Sequence, residues 1–247
     1  LGTEGMTPFT SAYNIYSVLL SISTAGLPLA VSKLVSEARA LGRYRQSRKI
    51  LRVSMWLFVI LGVLGTGLML LFAQELAGLM NDSLGYWPIK ALSFSVVCVC
   101  IMSAFRGYTQ GQGNMLPSAI SQIIEAAFKL IVGLILAWYF VGLGLGLDIG
   151  AAGAILGVTT GSVIAMAYML VDHIRSRRDD PAGTDTPSSS RRILRRLLAI
   201  GIPITIGSSG MSIISTLDQA IAMGRLQSVL GISEETAAAL YGEYSFG

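Results

Sequence analysis

Long apolar runs separated by short polar segments make up most of this chain. Six runs are of the length, about 20 residues, that a helix needs to cross the hydrocarbon core of a membrane. They occupy residues 9–36, 53–73, 89–106, 118–141, 150–171 and 198–223. The pattern therefore predicts an all-α fold, a polytopic membrane helix bundle with about six spans.

The composition supports a membrane protein. Hydrophobic residues are 53% and charged residues 13% of the 247 residues, and the mean hydropathy is +0.64. A soluble domain carries about a quarter charged residues. Because the sequence starts at Leu1 and stops within polar sequence at Gly247, we expect it to be a fragment of a longer protein.

The segments between the apolar runs alternate in charge. Residues 39–52 and 173–196 are rich in arginine, residues 74–88 hold acidic residues and no basic one, and Arg106 is assigned to the next connection. Lys and Arg are retained on the cytoplasmic side of a membrane. The basic segments are therefore predicted to be cytoplasmic in a multi-pass protein of the bacterial cell membrane.

A polar segment divides the chain. Residues 176–192 are rich in Pro, Gly, Ser and Thr, which is typical of a linker. We therefore expect a first transmembrane lobe over 1–175, a cytoplasmic linker over 176–192, and the start of a second lobe over 193–247. The arginines from Arg191 to Arg196 begin either an amphipathic stretch on the anionic inner leaflet or a solvated run of charge.

A ridge of small residues is predicted in the fifth span. Gly153, Gly157, Gly161 and Ala165 recur every four residues. Such a ridge lets a neighbouring helix approach closely. We interpret it as a packing surface rather than a nucleotide site.

Polar stripes in the first and fourth spans are the candidate walls of a cavity. They consist of Asn14, Ser17, Ser21 and Thr24, and of Ser118, Gln122, Glu125 and Lys129. Each set lies at helical spacing on one face. The alternatives are hydroxyls bonded to their own backbone in the first span and, in the fourth, a self-neutralised pair, since Glu125 and Lys129 are four residues apart.

Asp218 is a candidate for ion coupling rather than for a wall of the cavity. It lies within the sixth span, and the next basic residue, Arg225, is two turns away. A carboxylate at such depth is protonated, binds a cation or meets a charge from another helix. We therefore predict a coupling role for Asp218.

Catalytic sets are missing from the sequence. It holds no Ser/His/Asp arrangement, no metal-spaced His/Cys group and no P-loop, so we predict no enzyme activity, no cofactor and no nucleic-acid partner. Cys98 and Cys100 are expected to be buried small hydrophobes. Transport would then depend on a sodium or proton gradient, the membrane potential or the gradient of the substrate itself.

Two stretches carry a resemblance to a known family. Residues 26–34 read GLPLAVSKL, and residues 106–125 read RGYTQGQGNMLPSAISQIIE. They resemble the stage V sporulation protein B branch of the multidrug/oligosaccharidyl-lipid/polysaccharide (MOP) exporter superfamily, close to the MurJ-type lipid II flippases. Thr109 stands where the branch usually has an aromatic residue, which leaves an aromatic contact at that turn in doubt.

The resemblance implies a two-lobed bundle that opens alternately to each side of the membrane, with its first helix missing here. It implies a flippase for an undecaprenyl-diphosphate-linked glycan, either lipid II or a polysaccharide precursor, in peptidoglycan synthesis or sporulation. The predicted substrate-binding residues are Lys33, Arg106, Glu125, Lys129, Asn14, Ser21 and Gln122, and Asp218 is a candidate sodium ligand. The alternatives are an ion-coupled multidrug exporter of the same superfamily and a non-transporting scaffold in cell-wall or spore assembly.

Overall fold

The computed structural model describes residues 26–75, 86–144, 147–176, 181 and 183–207. Within these residues the secondary structure consists of helices joined by turns and loops, which confirms the all-α prediction. The helices are α1 (Leu27–Ala40), α2 (Tyr44–Leu71), α3 (Tyr86–Gly111), α4 (Leu116–Gly142) and α5 (Leu147–Ser176), and a further helix, α6, is described over residues 190–207. Helices α2 to α5 each contain a segment long and apolar enough to cross a membrane.

The helices extend beyond the apolar runs that predicted them. Helix α2 begins at Tyr44 rather than at 53, so most of the basic segment 39–52 is helical. Arg106 lies inside α3 and not in a connection, because α3 continues to Gly111. Hydropathy marks the part of a helix inside hydrocarbon, while long basic side chains are good helix formers that extend into water. Within the described residues, four of the six predicted spans are therefore confirmed, but their ends were wrong.

The predicted linker is docked on the start of α2. The carboxylate of Asp185 accepts hydrogen bonds from the backbone N–H groups of Arg45 and Gln46 at 2.8 and 2.9 Å. Arg43, at the N-cap position, has no side-chain cap of its own, so Asp185 supplies the missing N-cap from 140 residues away. Desolvation acts to raise the pKa of Asp185, but these donors and the charge of Arg45 hold it below its ordinary value.

Further contacts hold the linker in place. Arg48 donates to the carbonyl of Pro181 at 3.1 Å, and the N–H of Ser188 donates to the side chain of Gln46 at 2.6 Å. The two arginine-rich segments therefore meet at one end of the bundle. We call it the basic end: the start of α2, residues 181 and 183–189, and the ends of α3 and α5 that lie beside them.

Helix α6 is amphipathic, while its predicted place on the anionic inner leaflet stays a prediction. Ile193 and Leu197 are buried in the same core as α1, with 2% and 0% exposure, and Arg196 pairs with Glu37 of α1 at 2.9 Å. The side of α6 that holds Ile193 and Leu197 is therefore covered by protein. Arg191 and Arg192 belong to this helix and not to the linker to which the range 176–192 assigned them.

Glycines set the closest helix contacts. A Cβ added at Gly107 or Gly111 of α3 would lie 2.6 Å from a carbonyl oxygen of α1, and one added at Gly157 of α5 would lie 2.3 Å from the backbone nitrogen of Gly133 in α4. Helix α5 approaches α4 through the predicted small-residue ridge, which confirms its role in packing. This contact also brings Gly161 against the carbonyl of Glu125, and so fixes the position of the site described next.

Candidate functional site

An ion pair joins α3 and α4 inside the bundle. Nη2 of Arg106 lies 2.9 Å from Oε2 of Glu125, and Nε of Arg106 donates to the hydroxyl of Ser121 at 2.8 Å. The two charged side chains are 15% and 23% exposed. Two directed hydrogen bonds therefore hold the guanidinium in a fixed orientation while part of it stays accessible.

Hydroxyl groups extend this ion pair into α5. The hydroxyl of Ser162 in α5 lies 3.5 Å from Oε1 of Glu125 and 3.0 Å from the hydroxyl of Ser95 in α3. Both serines are fully buried. On the other side, Gln110 donates to Ser118 at 3.2 Å. We call these seven residues the polar cluster: Ser95, Arg106, Gln110, Ser118, Ser121, Glu125 and Ser162.

The local fold explains why Arg106 faces α4. Gly107 and Gly111 turn one face of α3 against α1. Arg106 and Gln110, which are one turn apart, therefore share the neighbouring face, where they bond to α4. Pro117 in the first turn of α4 is compatible with a helix start, since that position needs no N–H bond.

The polar cluster provides both signs of charge in a water-poor place. A charge inside a membrane bundle is costly unless it is paired, and the pair of Arg106 with Glu125 meets that requirement. Arginine has five N–H donors, so Arg106 can donate to a ligand beyond its bonds to Ser121 and Glu125. These further donors make Arg106 chemically suited to an anionic ligand.

The structure brings together only some of the predicted site residues. Arg106 and Glu125 are in contact, and the partner of Glu125 is Arg106 from α3, where the spacing within α4 had offered Lys129. Lys129 is half-buried and Gln122 is exposed. Lys129 lies about 20 Å along α4 from Leu116, at about 1.5 Å per residue, and is therefore near the middle of the helix.

The other predicted site residues lie either on α1 or outside the described residues. Lys33 is exposed on α1, and the residues of α1 that contact Gly107 and Gly111 are its neighbours Pro28, Val31, Ser32 and Val35. Asn14, Ser21 and Asp218 lie outside the described residues, as does most of the first predicted span. They stay predictions.

Sequence reasoning missed Ser95 and Ser162. Serines within apolar runs usually bond to their own backbone, and Ser162 does donate to the carbonyl of Val158 at 3.0 Å. The signal available was the position of Ser162 directly after Gly161 of the ridge. Residue 162 lies on the face next to the ridge, where it meets Ser95 of α3 and Glu125 of α4.

Solved structures with the same architecture are transporters. A MOP superfamily transporter from Pyrococcus furiosus superimposes with a TM-score of 0.75 at 18% identity, over 90% of this chain and 49% of that chain. A MATE in complex with MaD3S gives 0.73 at 20% identity, over 98% and 52%. The fold of this chain is therefore that of the MOP superfamily transporters.

The sequence belongs to a narrower group. A family model described as Polysaccharide biosynthesis protein matches residues 1–246, and the chain is a member of that family. It is a multi-pass membrane protein.

Two curated relatives come from Bacillus subtilis (strain 168). Stage V sporulation protein B is 28% identical over 246 residues, which are 98% of this chain and 47% of the relative. Lipid II flippase MurJ is 32% identical over 183 residues, 68% of this chain and 34% of the relative. The chain thus spans about half, or less, of the length of these two relatives.

Proposed function

We propose that the protein to which this chain belongs moves an undecaprenyl-diphosphate-linked glycan, lipid II or a polysaccharide precursor, across the membrane. The observation that supports this most is the pair of Arg106 with Glu125, a partly accessible guanidinium inside a membrane bundle. The family membership and the printed function of the MurJ relative favour a lipid-linked substrate.

The polar cluster suggests how a diphosphate is accepted. Without substrate, Glu125 neutralises Arg106. An arriving diphosphate offers stronger acceptors to the guanidinium and displaces the carboxylate, which keeps its contact with Ser162. Lys129, one helical turn further along α4 and so about 6 Å deeper, then presents a second positive charge to the headgroup.

An ion-coupled multidrug exporter is the second candidate, because the structural neighbours include MATE proteins. The two candidate functions differ in the charge of the ligand that the polar cluster would have to bind. Arg106 favours an anionic ligand and repels a cationic drug. If Glu125 were instead to receive a cationic drug, removing Arg106 would improve the site.

A binding measurement on purified full-length protein tests the proposal. Undecaprenyl diphosphate should bind at least about tenfold more weakly to Arg106→Gln than to wild type, since a hydrogen bond to a charged group contributes about 1.5–3 kcal/mol. Arg191→Gln, an exposed arginine of α6, is the control and should bind as wild type does. Unchanged affinity in Arg106→Gln, or tighter binding of a cationic dye by that variant, would contradict the flippase proposal.

We also propose that the basic end faces the cytoplasm, with a second lobe starting after the linker, because the arginine-rich segments meet there. Thr186→Cys in the linker should resist impermeant thiol reagents in intact cells, and Gln74→Cys, near the other end of α2, should react. Both positions are exposed, while Cys98 and Cys100 are buried. The reverse labelling pattern would show that the orientation is inverted.

Ion coupling through Asp218 stays part of the proposal. Its carboxylate would need oxygen ligands from other helices to hold sodium. If it does, sodium should raise the melting temperature of the wild-type protein and not that of Asp218→Asn. A wild-type melting temperature that is indifferent to sodium would exclude the sodium site.

A further inference from the structure

A cavity of about 240 Å³ opens at the basic end, away from the polar cluster. It lies between α2, α3 and α5. Tyr108 and Thr109 of α3 line it, whereas Arg106 on the same helix turns towards α4. The cavity and the polar cluster are thus on different faces of α3.

The cavity contains charges of both signs. Arg48 and Arg52, one turn apart on α2, line one side, and Asp172 of α5 lines the other. Oδ2 of Asp172 is buried and has no hydrogen-bond partner among the described residues. A buried acceptor without a donor is costly. A ligand that satisfies this cavity therefore carries an anion for the arginines and an N–H or O–H group for Asp172.

The wall behind these charges is aromatic. The ring of His173 lies 5.2 Å from that of Phe105 and 5.6 Å from that of Tyr108, and Phe105 and Tyr108 are themselves buried. Such ring contacts fix the shape of the wall. The cavity is therefore formed by packed side chains from three helices and not by a surface loop.

The rim of the cavity is placed for a lipid. Trp56, 66% exposed, and Met55 line it on the side of α2 that continues into the apolar run. Exposed tryptophan next to arginine is typical of the membrane–water interface. A ligand here can hold its polar end among the charges and lay apolar chains along Met55 and Trp56.

We propose that this cavity binds the phosphodiester of a phospholipid whose headgroup ends in a hydrogen-bond donor, such as glycerol or ethanolamine. The phosphate accepts from Arg48 and Arg52, and the terminal hydroxyl or ammonium donates to the carboxylate of Asp172, which lines the cavity. A choline headgroup has no N–H or O–H and cannot make that bond. Because Arg48 also donates to Pro181 of the linker, the bound lipid would neighbour the docked linker.

Binding of short-chain lipids to delipidated full-length protein, measured by native mass spectrometry below their critical micelle concentrations, tests the proposal. Dihexanoyl phosphatidylglycerol and phosphatidylethanolamine should bind at least tenfold more tightly than dihexanoyl phosphatidylcholine. Arg52→Gln, an exposed position that should fold normally, should weaken both by about tenfold. Arg45→Gln, an exposed arginine of the same helix outside the cavity, should not.

Four results decide the assignment. Asp172→Ala should remove the preference over the choline lipid. Equal affinity of wild type for all three lipids, or no effect of Arg52→Gln, would overturn the proposal. Inorganic phosphate or glycerol phosphate that binds more tightly than the lipids would show that the source of the phosphate is soluble and would overturn the lipid assignment. None of these outcomes depends on the transport substrate.

Discussion

Arg106→Gln in the full-length protein should abolish complementation of a flippase-deficient strain. The change leaves the Glu125 carboxylate without its cation and removes the anion-accepting group of the polar cluster. Breaking a buried ion pair costs about 3–5 kcal/mol. The cost here should be lower, because the two side chains are 15% and 23% exposed. We therefore expect a lower melting temperature together with the loss of function.

The double variant Arg106→Gln/Glu125→Gln separates the two effects. It removes both charges, and the two amides can still hydrogen-bond across α3 and α4. Its melting temperature should recover towards that of wild type, while complementation should stay lost. Complementation by the double variant would show that the ion pair is only a packing device. A loss of stability in the double variant equal to that of Arg106→Gln would show that the pair is not an isolated electrostatic unit.

Gly157→Ala should destabilise the protein more than a glycine-to-alanine change at a helix position with free space around it. The added methyl group would lie 2.3 Å from the nitrogen and 2.4 Å from the Cα of Gly133, so α4 and α5 must separate. Overpacking costs about 1–3 kcal/mol, and here the obstacle is backbone, which cannot change rotamer. Separation would also lengthen the contact of Ser162 with Glu125, so transport should fall as well.

Gly67→Ala is the matched control for this prediction. Gly67 lies within α2, and a methyl group there meets no atom within 4 Å. Both changes are glycine to alanine within a helix, so their effects on the unfolded chain and on helix propensity are similar. The melting temperature of Gly67→Ala should equal or exceed that of wild type. Equal melting temperatures for the two variants would contradict the close contact of α4 with α5.

The four spans that the structure describes could be predicted because apolar length is a direct measure of what hydrocarbon requires. The ends of these spans were misjudged, because the basic residues between Arg45 and Arg52 are helical although their charged groups favour water over hydrocarbon. The docked linker also escaped prediction. Asp185 sits among Pro, Gly, Ser and Thr, and nothing local shows that its carboxylate caps a helix 140 residues earlier.

The candidate site, like the fold, could be predicted only in part. Arg106 and Glu125 stood out because charges within apolar sequence are costly. The partner of Glu125 was not predictable, since Lys129 is at a suitable spacing on the same helix and Arg106 is brought near only when α3 and α4 both pack against α5. Ser95 joins the polar cluster through a contact that local spacing does not indicate.

Transport by the reconstituted full-length protein tests the central proposal most directly. A fluorescent undecaprenyl-diphosphate-linked glycan would be placed in one leaflet of proteoliposomes, and its arrival in the other leaflet followed by a membrane-impermeant quencher. Wild-type protein should move the lipid much faster than protein-free liposomes do. The folded double variant Arg106→Gln/Glu125→Gln should not. Folded wild-type protein that moves it no faster than empty liposomes, or a double variant as fast as wild type, would contradict the account.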